Sequence, residues 1–221
     1  MLFTVAVIHA SVREIPLLTE VAHDVMADAE LVHMVDEGLA RLVGESGEIT
    51  EPATRRVCSC AMNAEEAGAG AVVLAGPSIG SAIDAVCAAV RVPAVRLDGA
   101  MADAAVDFGT SIGVLASARD ILEPTLAFLR ERADAHGKDA VFESRLCEDA
   151  ALALENDDLE AYDHIVTNEA GRLAENDVIV MADIMMHRVV RAAGDRFRIP
   201  VLASPRQGFE GLAKQLNYFR R

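Results

Sequence analysis

Asp183, in the second half of the chain, is the side chain best placed to do chemistry. It directly follows Val178-Ile-Val-Met-Ala182, an apolar run typical of a strand that is buried on both faces. Partial burial at such a strand end would favour the protonated carboxyl group and allow it to shuttle a proton. His187 lies four residues later, on the same face if a helix begins at Asp183. The alternative interpretation is a helix-capping aspartate beside an unrelated, exposed histidine.

Three serines follow other predicted strands. They lie in His9-Ala10-Ser11, Gly76-Pro77-Ser78 and Ala116-Ser117. Ligands of parallel α/β sheets bind beyond the carboxyl ends of the strands, and a helix that begins there offers free backbone N–H groups to an anion. A small carboxylate is therefore expected to be bound by His9, Ser11, Gly76, Pro77, Ser78, Ser117 and His187. The alternative is that the serines only cap helices, which uses the same geometry.

The segment that ends in Asp183 repeats an earlier one. Gly70-Ala-Val-Val-Leu-Ala-Gly76 aligns with Asp177-Val-Ile-Val-Met-Ala-Asp183, and Arg91-Val-Pro93 aligns with Arg198-Ile-Pro200. Both anchors are separated by 107 residues (183 − 76 and 200 − 93). An apolar run, a helical stretch and a second apolar run form a strand–helix–strand unit. The repetition predicts two similar lobes with a cleft between them, and residues after the paired strands that face each other across it.

Strand and helix signals alternate along the chain, which predicts parallel sheets covered by helices on both faces. The predicted strands are Phe3–His9, Leu31–Val35, Ala71–Ala75, Ala94–Leu97, Ser111–Ala116, Ala140–Glu143, Val178–Met181 and Val201–Ala203. The predicted helices include Ile15–Ala29, Thr54–Ala67, Ser81–Val90, Pro124–His136 and Asp158–Ala174. The predicted fold class is α/β, with two pseudo-twofold-related lobes, each a small parallel sheet flanked by helices. We expect lobe one to span residues 1–98 plus 205–221 and lobe two residues 99–204, with linkers near Asp98-Gly99 and Ser204-Pro205.

The starts of the two lobes also match. Val5-Ala-Val-Ile-His-Ala-Ser11 resembles Ile112-Gly-Val-Leu-Ala-Ser117, and both end in Ala-Ser. Pro16 and Pro124 follow, and each is compatible with the first turn of the next helix.

The overall composition excludes several classes of function. The 221 residues are 52% hydrophobic, carry a formal net charge of −15 and include no Trp. Such a polyanion, poor in stacking side chains, is poorly suited to bind DNA or RNA. No apolar run reaches the ~18 residues that span a membrane. The start, Met1–Ile8, lacks a basic leader and predicts a first strand, so a cytoplasmic protein is expected.

The four cysteines predict neither disulfides nor a metal site. Cys58, Cys60, Cys87 and Cys147 are expected to stay reduced in the cytoplasm. Cys58-Ser-Cys60 has no second Cys or His pair at zinc-site spacing, and cysteine is common inside helices as a small apolar residue. A structural role is therefore expected for all four, with no metal and no cofactor.

The turn at Gly76 matches one catalytic pattern. Gly76-Pro77-Ser78-Ile79-Gly80 is a Gly-x-Ser-x-Gly motif between a strand and a helix, which is the pattern of a serine-hydrolase nucleophile elbow. Asp183 and His187 would complete the order of a triad, although a proline directly before the serine is unusual at such a strained turn. The segment has neither the dinucleotide fingerprint nor the lysine of a P-loop, so no nucleotide is expected.

Segments spread over nearly the whole chain resemble the aspartate/glutamate/hydantoin racemase superfamily. Their order and spacing carry the resemblance, and they are Val7–Val12, Val73–Gly80, Ile112–Ser117, Tyr162-Asp163, Val178–Met186 and Pro200–Pro205. The resemblance implies two α/β lobes, no cofactor and, as a default, a homodimer. It also implies one cysteine in each lobe, placed on opposite sides of the substrate α-carbon, of which one removes the proton and the other returns it.

The chain departs from this family pattern at both catalytic positions. The cysteine position of lobe one falls on Gly76 and that of lobe two on Asp183, so the resemblance argues against two-thiol racemisation. Relatives resembling arylmalonate decarboxylase also have glycine in lobe one, but they keep a cysteine in lobe two that protonates a carbanion after loss of carbon dioxide. Ser11, Ser78 and Ser117 match anion-binding positions of the family.

Three functions follow, in decreasing order of support. The first is isomerase- or decarboxylase-like chemistry at the α-carbon of a small carboxylate or amino-acid-like ligand, without cofactor and with Asp183 as the single acid–base group. The second is a non-catalytic carboxylate-binding protein. The third is a serine hydrolase that uses Ser78. The expected partners are the small ligand and a second copy of the chain, with no nucleic acid and no membrane.

Overall fold

A computed structural model describes residues 3–43 and 47–216 of the chain. Residues 217–221 of the predicted C-terminal tail, and Met1 and Leu2 of the predicted first strand segment, lie outside the described residues. The chain divides into two compact units. Unit 1 comprises Met1–Gly99 and Pro205–Arg221, and unit 2 comprises Ala100–Ser204.

Strands and helices alternate through both units. The strands are β1 (Phe3–His9), β2 (Ala29–Val35), β3 (Ala71–Leu74), β4 (Ala94–Arg96), β5 (Ser111–Ala116), β6 (Val141–Leu146), β7 (Val178–Met181) and β8 (Val201–Ala203). The helices are α1 (Ile15–Val25), α2 (Glu51–Glu66), α3 (Pro77–Gly80), α4 (Ile83–Ala89), α5 (Gly99–Phe108), α6 (Arg119–Ala135), α7 (Glu148–Glu155), α8 (Leu159–Gly171), α9 (Val190–Phe197) and α10 (Ser204–Gln215). Short 3₁₀ turns occur at Val12–Glu14, Leu39–Arg41 and Ile184–Val189.

Unit 1 contains a four-stranded parallel sheet with the strand order β2-β1-β3-β4. All four side chains of β3 are buried, which explains why its sequence is apolar throughout instead of alternating. Helix α2 begins after Thr50, whose hydroxyl accepts a hydrogen bond from the backbone N–H of Ala53. Its apolar residues Val57 and Ala61 recur at helical spacing and lie in the same apolar cluster as Ile8.

Unit 2 repeats this architecture with the strand order β6-β5-β7-β8, again with parallel pairing throughout. Alternate residues of its central strands enter two separate apolar clusters. Val114 and Val180 lie in the cluster formed with α5 and α6, whereas Leu115 and Met181 lie in the cluster formed with α7, α8 and α9. The central strands are therefore buried on both faces, and the α/β fold class predicted from the sequence is confirmed.

The strand pairing shows that the internal repeat has the same residue offset at the strand ends of both sheets. Ile8 pairs with Leu74 in unit 1, and Leu115 pairs with Met181 in unit 2. The separations are equal (115 − 8 and 181 − 74 are both 107). Asp183 is therefore equivalent to Gly76, as the sequence anchors predict.

The same offset corrects one part of the sequence alignment. It makes Ser117 equivalent to Ala10 rather than to Ser11. Matching hydrogen bonds beyond the paired strands support this equivalence: the N–H of Ala75 donates to Ile8 O, and the N–H of Ala182 donates to Leu115 O, each at 2.9 Å. The shared Ala-Ser ending of the two segments is therefore offset by one residue in space.

Several helices differ from the sequence predictions. Helix α6 begins at Arg119, so Pro124 lies inside the helix and not in its first turn; Pro16 does lie in the first turn of α1. Helix α1 ends at Val25 instead of Ala29, because Ala29 already pairs with Phe3 in the sheet. The two predicted linkers are helix starts, at Gly99 and Ser204.

Among the described residues, no helix is long and apolar enough to cross a membrane.

Candidate active site

Asp183 is a buried acid at the end of β7. Only 8% of the residue is exposed, and its backbone has the extended conformation of a residue that precedes a helical turn (φ −77°, ψ 138°). Its side chain forms no capping hydrogen bond to the 3₁₀ turn that follows. The helix-capping alternative for Asp183 therefore does not account for the position of its carboxylate.

The Asp183 carboxylate binds Ser117 instead. The backbone N–H of Ser117 donates to Oδ2 at 2.9 Å, and the Ser117 hydroxyl donates to Oδ1. The two residues meet because β5 and β7 are adjacent parallel strands that end at the same edge of the sheet. Ser117 is also buried, with 7% exposed. Two donors fix the orientation of this carboxylate and oppose the effect of its burial, which favours the protonated form.

Cys147 lies beside this pair, at the first position after β6. It is buried, its backbone N–H donates to Ala116 O at 2.8 Å, and its thiol donates to the same oxygen at 3.3 Å. Burial, followed by the negative charge of Asp183, raises the pKa of the Cys147 thiol to about 12. The thiol is therefore protonated at neutral pH and is neither a nucleophile nor a base.

Tyr162 on α8 completes the surroundings of Asp183. Its side chain is fully buried, and its hydroxyl oxygen forms no hydrogen bond with any described residue. Burial and then the charge of Asp183 raise the pKa of the phenol. A neutral phenol close to a carboxylate is a hydrogen-bond donor, and a buried tyrosine hydroxyl usually has a partner.

His187 lies in the 3₁₀ turn that follows Asp183 and is half-buried. The expectation that both side chains share a helix face is not met, because three residues per 3₁₀ turn align Asp183 with Met186 rather than with His187. The turn is held to α8 by the next residue. Arg188 donates two hydrogen bonds to the Asp163 carboxylate, at 3.0 and 2.9 Å.

The equivalent strand end of unit 1 has no acid. Gly76 adopts φ +115°, a conformation that residues with a Cβ rarely adopt. Pro77 begins the four-residue helix α3, and Ser78 is its second residue. The Gly-x-Ser-x-Gly segment thus forms a turn between a strand and a helix, as its motif predicts. Ser11 has the capping role, because its hydroxyl accepts a hydrogen bond from the backbone N–H of Arg13 at 3.3 Å.

His9 is fully buried at the end of β1, and two residues outside the predicted site lie against it. Its Nε2 lies 2.8 Å from Nδ1 of His33, and its Nδ1 lies 3.4 Å from Oε2 of Glu14. The only sequence signal for these residues is position, since Glu14 follows a strand end and His33 lies on the neighbouring strand β2. The contact of His33 with His9 depends on the pairing of β1 with β2, and that of Glu14 on the turn that follows β1.

The remaining cysteines all lie in unit 1. Cys58 and Cys60 are half-buried free thiols, and Cys87 is an exposed one. Within residues 3–43 and 47–216, no group of three or more His, Cys, Asp or Glu side chains is arranged to hold a metal ion.

Comparisons with known proteins identify relatives of the fold. No protein-family model and no curated protein sequence matches the chain. Among solved structures, the aspartate racemase of Picrophilus torridus matches with a TM-score of 0.74 at 14% identity, covering 97% of this chain and 94% of that chain. Glutamate racemase from Francisella tularensis, solved with D-glutamate, matches with a TM-score of 0.73 at 13% identity, covering 99% and 82%.

A structure of an arylmalonate decarboxylase mutant, in a sulfate-associated form, matches with a TM-score of 0.66 at 16% identity and covers 96% of this chain and 92% of that chain. Identities this low establish the fold and not the reaction. The chain therefore has the two-sheet α/β fold of these racemases and of arylmalonate decarboxylase, in agreement with the resemblance found in its sequence.

Proposed function

We propose that the chain is a cofactor-independent enzyme that transfers a proton at the α-carbon of a small carboxylate, with Asp183 as an acid–base group. One observation carries this proposal: a buried carboxylate whose two oxygens are both hydrogen-bonded by Ser117 where two adjacent strands end. Parallel α/β sheets bind ligands beyond these strand ends. A positioned carboxylate at that place is suited to general acid–base catalysis.

The hydrogen bonds favour a base over an acid in the resting protein. Ser117 donates to both oxygens of Asp183, which stabilises the carboxylate relative to the carboxylic acid. The carboxylate would remove the α-proton and leave an enediolate-like intermediate, whose charge needs hydrogen-bond donors. The neutral Tyr162 phenol and the half-buried His187 are the nearby groups that we assign to ligand binding.

The proposal replaces thiol chemistry with carboxylate chemistry. In the family pattern both catalytic positions are cysteines, whereas this chain has Gly76 and Asp183 there. The buried thiol of Cys147 cannot take the place of a catalytic cysteine, because its pKa is raised to about 12. A carboxylate is a weaker base than a thiolate, so the substrate is expected to have an α-proton that is made acidic by a second electron-withdrawing group.

The ligand class rests on the comparisons. One matching racemase is named for aspartate, a second is solved with D-glutamate, and a third protein is named a decarboxylase of arylmalonate. All three names refer to small carboxylates, which supports the same class here. A cytoplasmic location, a homodimer and ligand contacts from His9, Ser11, Gly76, Pro77 and Ser78 remain parts of the proposal.

A non-catalytic carboxylate-binding protein is the second candidate. It is favoured by the fact that the Ser117 N–H and hydroxyl, which were expected to hold a ligand carboxylate, already donate to Asp183. In that case Asp183 would be a structural link between two strands. Saturable ligand binding without any hydrogen exchange at the ligand α-carbon would identify this function.

A crystal structure obtained after soaking with a mixture of small mono- and dicarboxylates tests the proposal. We expect a bound carboxylate whose α-carbon lies within about 3.5 Å of an Asp183 carboxylate oxygen, which is the distance of a reactive geometry. Crystals of Asp183→Asn, soaked in the same way, are the control. They show whether the ligand binds through the shape of the site alone, without the Asp183 carboxylate. A ligand bound elsewhere, with the Asp183–Ser117 contact unchanged, would contradict the assigned role.

A further inference from the structure

Three titratable side chains lie in a row in unit 1. His9 and His33 are joined by a hydrogen bond, whereas Glu14 and His9 approach each other through two buried atoms that have no hydrogen-bond partner. Oε2 of Glu14 lies 3.4 Å from Nδ1 of His9, and Nε2 of His9 lies 2.8 Å from Nδ1 of His33. Nε2 of His33 lies 2.9 Å from the hydroxyl oxygen of Thr19. His9 is fully buried, whereas Thr19 is exposed and 20% of the Glu14 side chain is accessible. The row therefore runs from a buried carboxylate oxygen of Glu14, through the buried His9, to an exposed hydroxyl at Thr19.

The directions of the hydrogen bonds follow from the Thr19 end. The Thr19 hydroxyl has one proton and donates it to Ile15 O at 2.7 Å. It must therefore accept a hydrogen bond from Nε2–H of His33, which leaves Nδ1 of a neutral His33 as an acceptor. His9 then donates through Nε2–H, and its Nδ1 carries the free lone pair. These tautomers are assigned from the network.

This assignment leaves Nδ1 of His9 facing Oε2 of Glu14 at 3.4 Å, and a small approach of these two unpartnered buried atoms would let them share one proton. Either a neutral Glu14 donates to Nδ1 of His9, or a protonated His9 donates to the Glu14 carboxylate. The net charge of the pair is the same in both cases, which suits a buried pair. Burial raises the pKa of Glu14, although the hydrogen bond and the charge of His9 oppose this shift. Burial and the charge of His9 lower the pKa of His33.

The same three side chains have a second protonation state, which holds one proton fewer. Glu14 passes its proton to Nδ1 of His9, Nε2 of His9 passes its proton to Nδ1 of His33, and Nε2 of His33 releases a proton to water at Thr19. The Thr19 hydroxyl then turns from Ile15 O and donates to His33. One proton has left the chain and Glu14 is ionised; the reverse sequence loads Glu14 again.

We propose that Glu14, His9 and His33 form a proton relay that loads and unloads Glu14 from solvent at Thr19. Glu14 follows the carboxyl end of β1 and is the end of the relay nearest to the edge where ligands of such sheets bind. The relay supplies an acid–base group at the strand ends of unit 1. Its use in catalysis rests on the proposed function, whereas its existence as a relay does not.

Nuclear magnetic resonance of protein labelled with ¹⁵N-histidine tests the relay directly, because long-range ¹H–¹⁵N spectra show which ring nitrogen carries the proton. In the wild type, His9 and His33 are both expected as Nε2–H tautomers that convert together to Nδ1–H as the pH rises. In Glu14→Gln, the amide keeps donating to Nδ1 of His9, so both rings stay Nε2–H over the same pH range. Exposed Glu20 gives the matched control, Glu20→Gln, which behaves as wild type.

Thr19→Val provides a second variant in case Glu14→Gln does not fold. The residue is exposed, and valine has the same branched shape. Loss of the hydroxyl removes the partner of His33 Nε2, so the ¹⁵N shifts of His33 and, through it, of His9 are expected to move. His136, which contacts Asp103 and Asp107 outside the relay, serves as the internal reference. Rings that titrate independently, or a His9 that is unchanged in both variants, would overturn the relay.

The catalytic use of the relay has its own readout. In an α-hydrogen exchange assay, Glu14→Gln is expected to slow exchange about 100-fold, which is a common contribution of one acid–base group, while Glu20→Gln leaves it unchanged. If the rings behave as expected but Asp183→Asn retains full exchange, the proposed function fails and the relay stands. If the rings do not behave as expected, the relay fails whatever the activity.

Discussion

In unit 1 the backbone after β3 turns at Gly76 with no side chain, whereas the equivalent position after β7 in unit 2 carries Asp183, whose carboxylate binds Ser117. At the ends of the neighbouring strands, β1 and β5, the ionisable side chain lies in unit 1 instead of unit 2. Unit 1 has the buried His9 with its partners Glu14 and His33, whereas unit 2 has Ala116. Two sheets with the same strand order and register thus carry ionisable groups at different strand ends.

The comparison separates what the fold requires from what the chemistry requires. The strands β3 and β7 are both fully buried and apolar, because each must pack against helices on two faces. The residues two positions after these strands, Gly76 and Asp183, do not belong to the apolar clusters and are free to differ. A duplicated scaffold can therefore keep its core and change the residues at its strand ends, which is where we place function.

Among the variants that leave Asp183 in place, the largest effect is expected from removing the hydroxyl that orients its carboxylate. Ser117→Ala keeps the backbone N–H donor but removes the hydroxyl, so α-hydrogen exchange should fall about 10- to 100-fold. The protein should lose about 1.5–3 kcal/mol of unfolding free energy, as for a hydrogen bond to a charged group. Steady-state rates and urea unfolding measure the two effects.

Ser111→Ala is the matched control, because Ser111 lies at the opposite end of the same strand and donates to Asn176. It should lower stability without lowering the exchange rate. Equal rates for the two variants would show that Ser117 has no positioning role.

The second prediction tests the glycine of unit 1. Gly76→Ala forces a Cβ onto φ +115°, although space is available, since the nearest atom is 3.8 Å from that Cβ. We expect a loss of about 1–3 kcal/mol in the free energy of unfolding, the typical strain of such a conformation. Gly99→Ala is the control, because its Cβ would meet nothing within 4 Å and its φ is not positive. A Gly76→Ala variant as stable as Gly99→Ala would contradict the conformational argument.

The third prediction concerns stability at alkaline pH. Burial and the charge of Asp183 raise the pKa of Cys147 from 9.0 to about 12, so the folded state holds the thiol proton more tightly than the unfolded state does. The stabilisation is complete below pH 9 and is lost as the pH rises from 9 to about 12. Unfolding free energy should fall by up to about 1.4 kcal/mol per pH unit in that range.

The effect of Cys147 is isolated by comparing variants. Cys147→Ala should have a shallower alkaline slope than the wild type in guanidinium unfolding at several pH values, while Cys87→Ala, which changes an exposed residue of unit 1, keeps the wild-type slope. Parallel slopes for all three proteins would contradict the buried environment of Cys147.

The smallest effect is a difference in thiol reactivity between the units. With iodoacetamide at pH 8, Cys87 should be alkylated first, because it is exposed, and Cys147 should stay unmodified in the folded protein. Mass spectrometry of peptides after partial reaction measures both rates. Modification of Cys147 at a rate similar to that of Cys87 would mean that the carboxyl end of β6 opens to solvent.

The sequence determines the strands of this fold better than its helices. The bounds of β1, β5, β7 and β8 agree with prediction, because a buried strand needs an uninterrupted apolar run whose ends are visible in the sequence. Helices α5, α7 and α10 are not among the predicted helices, and α9 is expected only as a helical stretch without bounds between β7 and β8. Helices α7 and α9 have only eight residues each, and α5 and α10 begin at the two positions that were interpreted as linkers.

The sequence predicts individual residues of the candidate site but not the contacts between them. Asp183, Ser117 and His9 are recognisable as strand-end residues, but the contact of Asp183 with Ser117 depends on the register of β7 on β5. Glu14 and His33 were missed because they are unremarkable in sequence. They meet His9 only after β2 pairs with β1 and the chain turns after Ser11.

The most direct test of the central claim is solvent deuterium exchange at the α-carbon of a panel of small carboxylates and amino acids, followed by ¹H NMR in D₂O. Asp183→Asn is compared with Asp177→Asn, which changes an aspartate at the other end of β7 that also accepts two hydrogen bonds, from Thr110 and Ser111. We predict that one ligand exchanges with wild type and Asp177→Asn, and at least about 100-fold more slowly with Asp183→Asn. Undiminished exchange with folded Asp183→Asn would contradict the claim that Asp183 is the acid–base group.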